Sequence, residues 1–210
     1  MQVLFVHGMW RSPLSGWPMF RQLRRAGLSV ETLGYSVAFE SFASIKQRVI
    51  GRVVALARAG DYVLIGHSLG GVLIRAALSE LPPGTRAPAH VFLLGSPVRP
   101  SRLALKLAGN RLFRALTGDC GDLLASARRM SEVGAVAAST TGIAGTLGFS
   151  GQRGPFNGET NDGVVSLSEV SADWLTDQVQ IRVVHSLLPS SRRVAEIVLQ
   201  RLRREDQTSG

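Results

Sequence analysis

Along the chain, short apolar runs alternate with longer stretches whose apolar residues recur every three or four positions. Residues 2–6 form the first run and end at His7-Gly8-Met9-Trp10. A helix is expected over 17–26, with Pro18 in its first turn, Phe20 and Leu23 inward, and Gly27 as its stop. Residues 28–33 read as a second strand. Ser41 can cap a helix carrying Phe42, Ile45, Val49, Val53 and Leu56 on one face until Gly60. Residues 62–65 are a buried strand, followed by helical spacing (Leu69, Val72, Leu73, Ala76, Ala77) that ends at Pro82-Pro83. Another apolar run, 91–94, closes at Gly95-Ser96-Pro97. Further strands are expected over 133–138 and over 178–184, the latter with His185 at its end. Between them, glycines at 142, 145, 148, 151 and 154 suggest a mobile connection of small residues. An amphipathic helix over 190–204 (Val194, Ile197, Val198, Leu202) closes the chain, with a frayed tail over 205–210.

Strands apolar on both faces and separated by helices predict an α/β fold: an open sheet of about six mostly parallel strands with helices on both sides. In such a sheet the ligand crevice lies beyond the carboxyl ends of the strands. Residues 98–131 break the rhythm. Leu105, Ala108, Leu112 and Leu116 share a helical face, Arg102, Lys106, Arg111 and Arg114 lie elsewhere around the axis, and glycines at 109, 118 and 121 divide the segment. This insertion is either a helical lid over the crevice or an ordinary crossover. No domain boundary or longer repeat is visible, so 1–210 is expected to be a single domain.

Composition narrows the classes. The chain has 210 residues, 45% hydrophobic and 19% charged, which suits one well-buried domain and provides no apolar run long enough for a bilayer span. Cys120 is the only cysteine, which excludes an internal disulfide and a cysteine-rich metal site. With an opening strand that carries no cationic leader, it supports the expectation of a reducing, cytoplasmic setting. The formal charge is +9, nearly all of the cation arginine. Genome base composition accounts for such a balance, as does a partner of negative charge, an anionic membrane surface or an acidic carrier protein. The basic residues are spread out with few aromatics between them, which argues against nucleic acid.

The candidate chemistry centres on Gly66-His67-Ser68-Leu69-Gly70. Gly-x-Ser-x-Gly is short enough to recur by chance; strand, motif and helix in immediate succession are what a nucleophile elbow requires. Ser68 is the candidate nucleophile, at a strained tip above a helix N-terminus. A serine hydroxyl needs a base, and a histidine base needs a carboxylate to hold its tautomer. His67 adjoins the serine and is expected to pack or orient. His7 shapes the first loop, and His90 opens a strand at the wrong end of the sheet. His185 is the candidate base. Asp162, in the turn Asn161-Asp162-Gly163, is the candidate acid; Asp173 and Asp177 lie before the last strand, toward its amino end. Two backbone donors are expected for a tetrahedral oxyanion, the amides of Leu69 and Met9.

His7-Gly8, Gly66-His67-Ser68-Leu69-Gly70-Gly71, Asn161-Asp162-Gly163-Val164-Val165 and His185-Ser186-Leu187-Leu188 together resemble the small bacterial lipase/esterase branch of the α/β-hydrolase fold. The resemblance spans nearly the whole chain. It implies a minimal sheet lacking the leading strands of the full fold, Ser68, Asp162 and His185 as a triad, the amides of Met9 and Leu69 as an oxyanion hole, and no cofactor or metal. Met9-Trp10-Arg11 stands where further glycines are usual. The expected activity is hydrolysis of a small acyl ester through an acyl-enzyme. The alternatives are an acyl-thioesterase acting on carrier-bound chains, and a non-catalytic binding or membrane-surface protein on the same fold.

Overall fold

The computed structural model describes residues 1–149, 151–152 and 154–208, with side chains described to residue 204. Six strands form one sheet: β1 (Gln2–Val6), β2 (Ser29–Leu33), β3 (Tyr62–His67), β4 (His90–Leu94), β5 (Thr140–Gly145) and β6 (Asp177–Ile181). Their order is β2-β1-β3-β4-β5-β6 and every pairing is parallel. The helices are α1 (Trp17–Arg25), α2 (Phe42–Ala59), α3 (Leu69–Leu78), α4 (Arg102–Leu107), α5 (Arg111–Ala125), α6 (Ala127–Glu132), α7 (Leu167–Val170) and α8 (Arg192–Thr208).

The period-two geometry of a strand sorts the core into two layers. Leu4, Val6 and Leu64 pack with Ile45, Val49 and Val53 of α2 and Val72 and Leu73 of α3. Val3, Phe5, Val63 and Ile65 face the other way, onto Met19, Phe20 and Leu23 of α1 and Val194, Ile197 and Val198 of α8. Strand order reverses at β1, which pairs with β2 on one edge and β3 on the other. The crevice of such a sheet opens at this switch point, beyond the strand ends.

Three expectations need correction. The penultimate strand is 140–145, not 133–138. The latter segment is a loop whose Val133 and Val136 are buried in the core. The first glycines of the expected mobile connection, Gly142 and Gly145, therefore belong to a strand: Gly142 pairs with Leu93 on one side and Gln178 on the other. β6 ends at Ile181, so His185 follows a short connection and opens a 3₁₀ turn. α8 runs past residue 204 to Thr208, while the expected fraying at 209–210 lies outside the described residues.

The 98–131 segment folds as α4, α5 and α6. Ser101, Asn110 and Ser126 cap them, each side chain accepting a backbone N–H of the first turn. Gly118 breaks α5 with φ 51°. The Leu105, Leu112 and Leu116 stripe is exposed. It is Leu103, Ala104, Leu107, Phe113 and Leu124 that turn inward over the strand ends and line a cavity.

Candidate active site

β3 is buried along its whole length and passes directly into α3. Ser68 is the hinge, at φ 52° and ψ −123°, a conformation that L residues adopt only under strain. The turn is tight enough that a Cβ on Gly66 would strike the backbone of Gly71, and one on Gly71 would strike the Ser96 hydroxyl. Ser68 N–H donates to Leu94 O (2.9 Å), extending the ladder to β4, and Gly71 N–H donates to Ser68 O (3.0 Å). Leu69 is the first residue of α3, so its N–H has no partner within the helix.

Asp162 and His185 meet directly. His185 Nδ1 lies 2.7 Å from Asp162 Oδ2. A carboxylate only accepts, so Nδ1–H donates and Nε2 keeps the lone pair. The other carboxylate oxygen, Oδ1, accepts from Val164 N–H (3.0 Å) and Val165 N–H (2.9 Å). The backbone repeats the tie, with His185 N–H donating to Asp162 O at 2.9 Å. Both side chains are buried. Asp177, one of the rival carboxylates, opens β6 and pairs with Arg201 at 2.6 Å.

Ser68, His67 and His185 line one cavity of about 360 Å³ with Met9, Trp10 and Arg11. The Ser68 hydroxyl has no hydrogen bond to a described residue and shares the cavity with His185. Most of the rest of the wall comes from the inserted segment (Ser101, Leu103, Ala104, Leu107, Phe113, Leu124), with Val164 and Ser186 completing it, and it is mostly apolar. The root of the insertion is fixed to the segment that follows Asp162. Glu169 Oε1 accepts from Arg102 N–H, and Oε2 accepts from Ser166 N–H and Oγ–H, each at 2.7 Å. Arg102 also donates to Glu159 at 2.7 Å, so this arginine is engaged inside the molecule.

His67 is tied to the backbone of His185. Its Nε2 is 3.1 Å from the His185 carbonyl, and since a carbonyl only accepts, Nε2–H is the donor. Burial, then the neighbouring His185, holds its pKa well below 6.5. His7 is also lowered, chiefly by burial. Its ring stacks on Tyr35, whose hydroxyl donates to the His7 carbonyl at 2.5 Å, and its Nδ1–H donates to Gly8 O at 2.8 Å. This is the loop-shaping role its sequence position suggested.

These shifts make a stability prediction. With folded pKa values depressed below 6.5, the unfolded chain binds protons that the folded chain refuses. The stability held above pH 6.5 is lost as pH falls toward the folded values, at up to about 1.4 kcal/mol per pH unit per histidine. Thermal melts between pH 7.5 and 5 should show Tm falling with pH, and less steeply in His67→Gln, which can still donate to the carbonyl but does not titrate. An unchanged slope in that variant would remove His67 from the account.

Some functional positions were not legible as such in the sequence. Gly95 follows β4 directly with φ 54°, and a Cβ there would lie 3.0 Å from His185 Nδ1 and 3.1 Å from Asp162 Oδ2. Trp10 occupies a left-handed conformation (φ 54°), and its indole N–H donates to Leu116 O at 3.1 Å, tying the first loop to α5. Only the strand-end position of Gly95 hinted at its place.

The family model described as the alpha/beta hydrolase family matches residues 3–206. Among solved structures, a metagenomic carboxyl esterase, MGS0156, superposes with TM-score 0.75 at 15% identity, over 99% of this chain and 76% of its own. The mature lipase BlEst2 of Bacillus licheniformis gives 0.63 at 16%, over 96% and 91%. RedJ, a thioesterase of the prodiginine biosynthetic pathway in Streptomyces coelicolor, gives 0.62 at 15%, over 97% and 85%. At these identities the likeness is one of fold. No curated protein matches the chain by sequence. Among the described residues, no helix is long and apolar enough to cross a membrane.

Proposed function

We propose, from the premise that this chain belongs to the alpha/beta hydrolase family, that it is a serine hydrolase cleaving carboxylic esters through an acyl-enzyme. The observation that carries this reading is the buried Asp162–His185 pair in hydrogen-bond contact beside a cavity shared with the strained Ser68. Ser68 Oγ attacks the ester carbonyl while His185 Nε2 takes its proton; Asp162 holds the imidazole and stabilises its cation. The amides of Met9 and Leu69 receive the developing oxyanion, a type of contact worth about 10²–10³-fold in rate per donor. His185 then delivers the proton to the departing alcohol. Water enters, His185 activates it, and the acyl group leaves Ser68 as a carboxylic acid. This cycle uses only side chains and amides of the chain itself.

The apolar cavity suits the acyl chain of a thioester equally well, so acyl-thioesterase is the second reading, with the same machinery and a sulfur leaving group. A fluorophosphonate probe should label the folded wild type and should not label Ser68→Ala. Failure to label correctly folded wild-type protein overturns both readings. Relative turnover of matched oxygen and sulfur esters then decides between them.

A further inference from the structure

We propose that Arg11 is a specificity residue that meets an oxyanion, a carboxylate or phosphate, on the alcohol side of the ester; the inference rests on the hydrolase reading above. Among the described residues lining the cavity, Arg11 is the only one charged at neutral pH apart from what the histidines carry. It stands at the end of a tight turn after β1, where Arg11 N–H donates to Gly8 O (3.2 Å) and Trp10 takes the positive φ. That turn carries its side chain toward the His185 loop. One guanidinium nitrogen, Nη2, donates to Ser186 O at 3.2 Å. No carboxylate pairs with Arg11 among the described residues, whereas Arg102, at the foot of the inserted helices, pairs with Glu159 and Arg129 with Asp119.

The chemistry of acyl transfer says which half of a substrate would lie there. When the Ser68 Oγ–acyl bond forms and the acyl–oxygen bond breaks, the departing oxygen takes its proton from His185 Nε2, so the alcohol half must sit beside His185. Ser186 is the next residue, and Arg11 is bonded to its carbonyl. The acyl half is left for the apolar wall of Leu103, Leu107, Phe113 and Leu124. A guanidinium anchored by one N–H presents its other donors in a planar fork that matches carboxylate and phosphate oxygens. Arg11 is exposed, so water and salt screen it, and discrimination of about fivefold is expected rather than the larger factors of a buried pair.

The test uses two esters of nearly equal size, 3-carboxyphenyl octanoate and 3-carbamoylphenyl octanoate, with the purified full chain. The ratio of kcat/KM, anionic over neutral, should fall about fivefold in Arg11→Gln, fall less in Arg11→Lys, and fall with added sodium chloride in the wild type. Comparing each ratio between variants cancels the intrinsic reactivity of the two esters. Equal loss on both esters in Arg11→Gln would mean that the arginine only braces Ser186, and an unmoved ratio with no loss would mean that it does nothing for the alcohol; either overturns the proposal alone. Turnover of neither ester by wild-type protein overturns it together with the ester-hydrolase reading.

Discussion

Asp162→Asn is expected to lower kcat by about 10⁴-fold with little change in KM. The size of the effect follows from which atoms can donate. Asp162 Oδ1 accepts from the amides of Val164 and Val165, and Oδ2 accepts from His185 Nδ1–H. An asparagine in the same pose must keep its carbonyl oxygen toward the two amides, because its NH₂ there would set donor against donor. The NH₂ then faces Nδ1, which can pair with it only by giving up its proton. His185 is forced into the Nε2–H tautomer and has no lone pair left to take the proton of Ser68. The turn itself survives, since Asp162 N–H still donates to Val165 O (3.1 Å) and His185 N–H to the residue 162 carbonyl. Melting temperature should therefore shift by only a few degrees while single-turnover acylation collapses. Retention of kcat within tenfold of wild type, in a folded variant, would dismiss Asp162 as the orienting carboxylate.

The contrast between what could and could not be read in advance has physical causes. Ser68 announced itself because an elbow is local: strand, turn and helix are contiguous, and sterics force glycine at 66 and 70, where a Cβ would meet backbone, and at 71, where it would meet the Ser96 side chain. The pairing of Asp162 with His185, 23 residues apart, could be anticipated only from chain order and the end of the sheet each was expected to occupy. β5 escaped notice because Thr-Thr-Gly-Ile-Ala-Gly lacks the large apolar side chains that mark a buried strand. Its burial is supplied by its neighbours: a Cβ at Gly142 would touch Leu175, and one at Gly145 would press on the Val183 carbonyl and the Asp162 side chain. The apolar 133–138 run misled for the converse reason, since a loop can bury Val133 and Val136 without strand geometry. The inserted helices were recognisable as helices, yet their orientation was not. Leu105, Leu112 and Leu116, which share a helical face in the sequence, face solvent, while Leu103, Leu107 and Leu124 line the cavity.

Gly95→Ala is expected to cost about 2–4 kcal/mol of stability and at least about 10²-fold in kcat. Gly95 holds φ 54°, which penalises any residue with a Cβ by roughly 1–2 kcal/mol. Space is the second cost. The added methyl would stand 2.8 Å from Leu188 Cδ1, 3.0 Å from His185 Nδ1 and 3.1 Å from Asp162 Oδ2, all buried. Gly95 N–H also donates to Ile143 O at 2.9 Å, so β4 cannot swing away without losing its contact with β5. What yields is the histidine–carboxylate pair, and a displacement near 1 Å is enough for a hundredfold loss in a positioned proton transfer. Gly84→Ala separates the two causes. Gly84 has φ 79° with nothing within 4 Å of a built Cβ, so it should lose stability through strain alone and keep its activity. If Gly95→Ala unfolds earlier than wild type yet turns over substrate within threefold of it, crowding at residue 95 does not reach the reacting groups, and the base would have to be sought outside the His185–Asp162 pair.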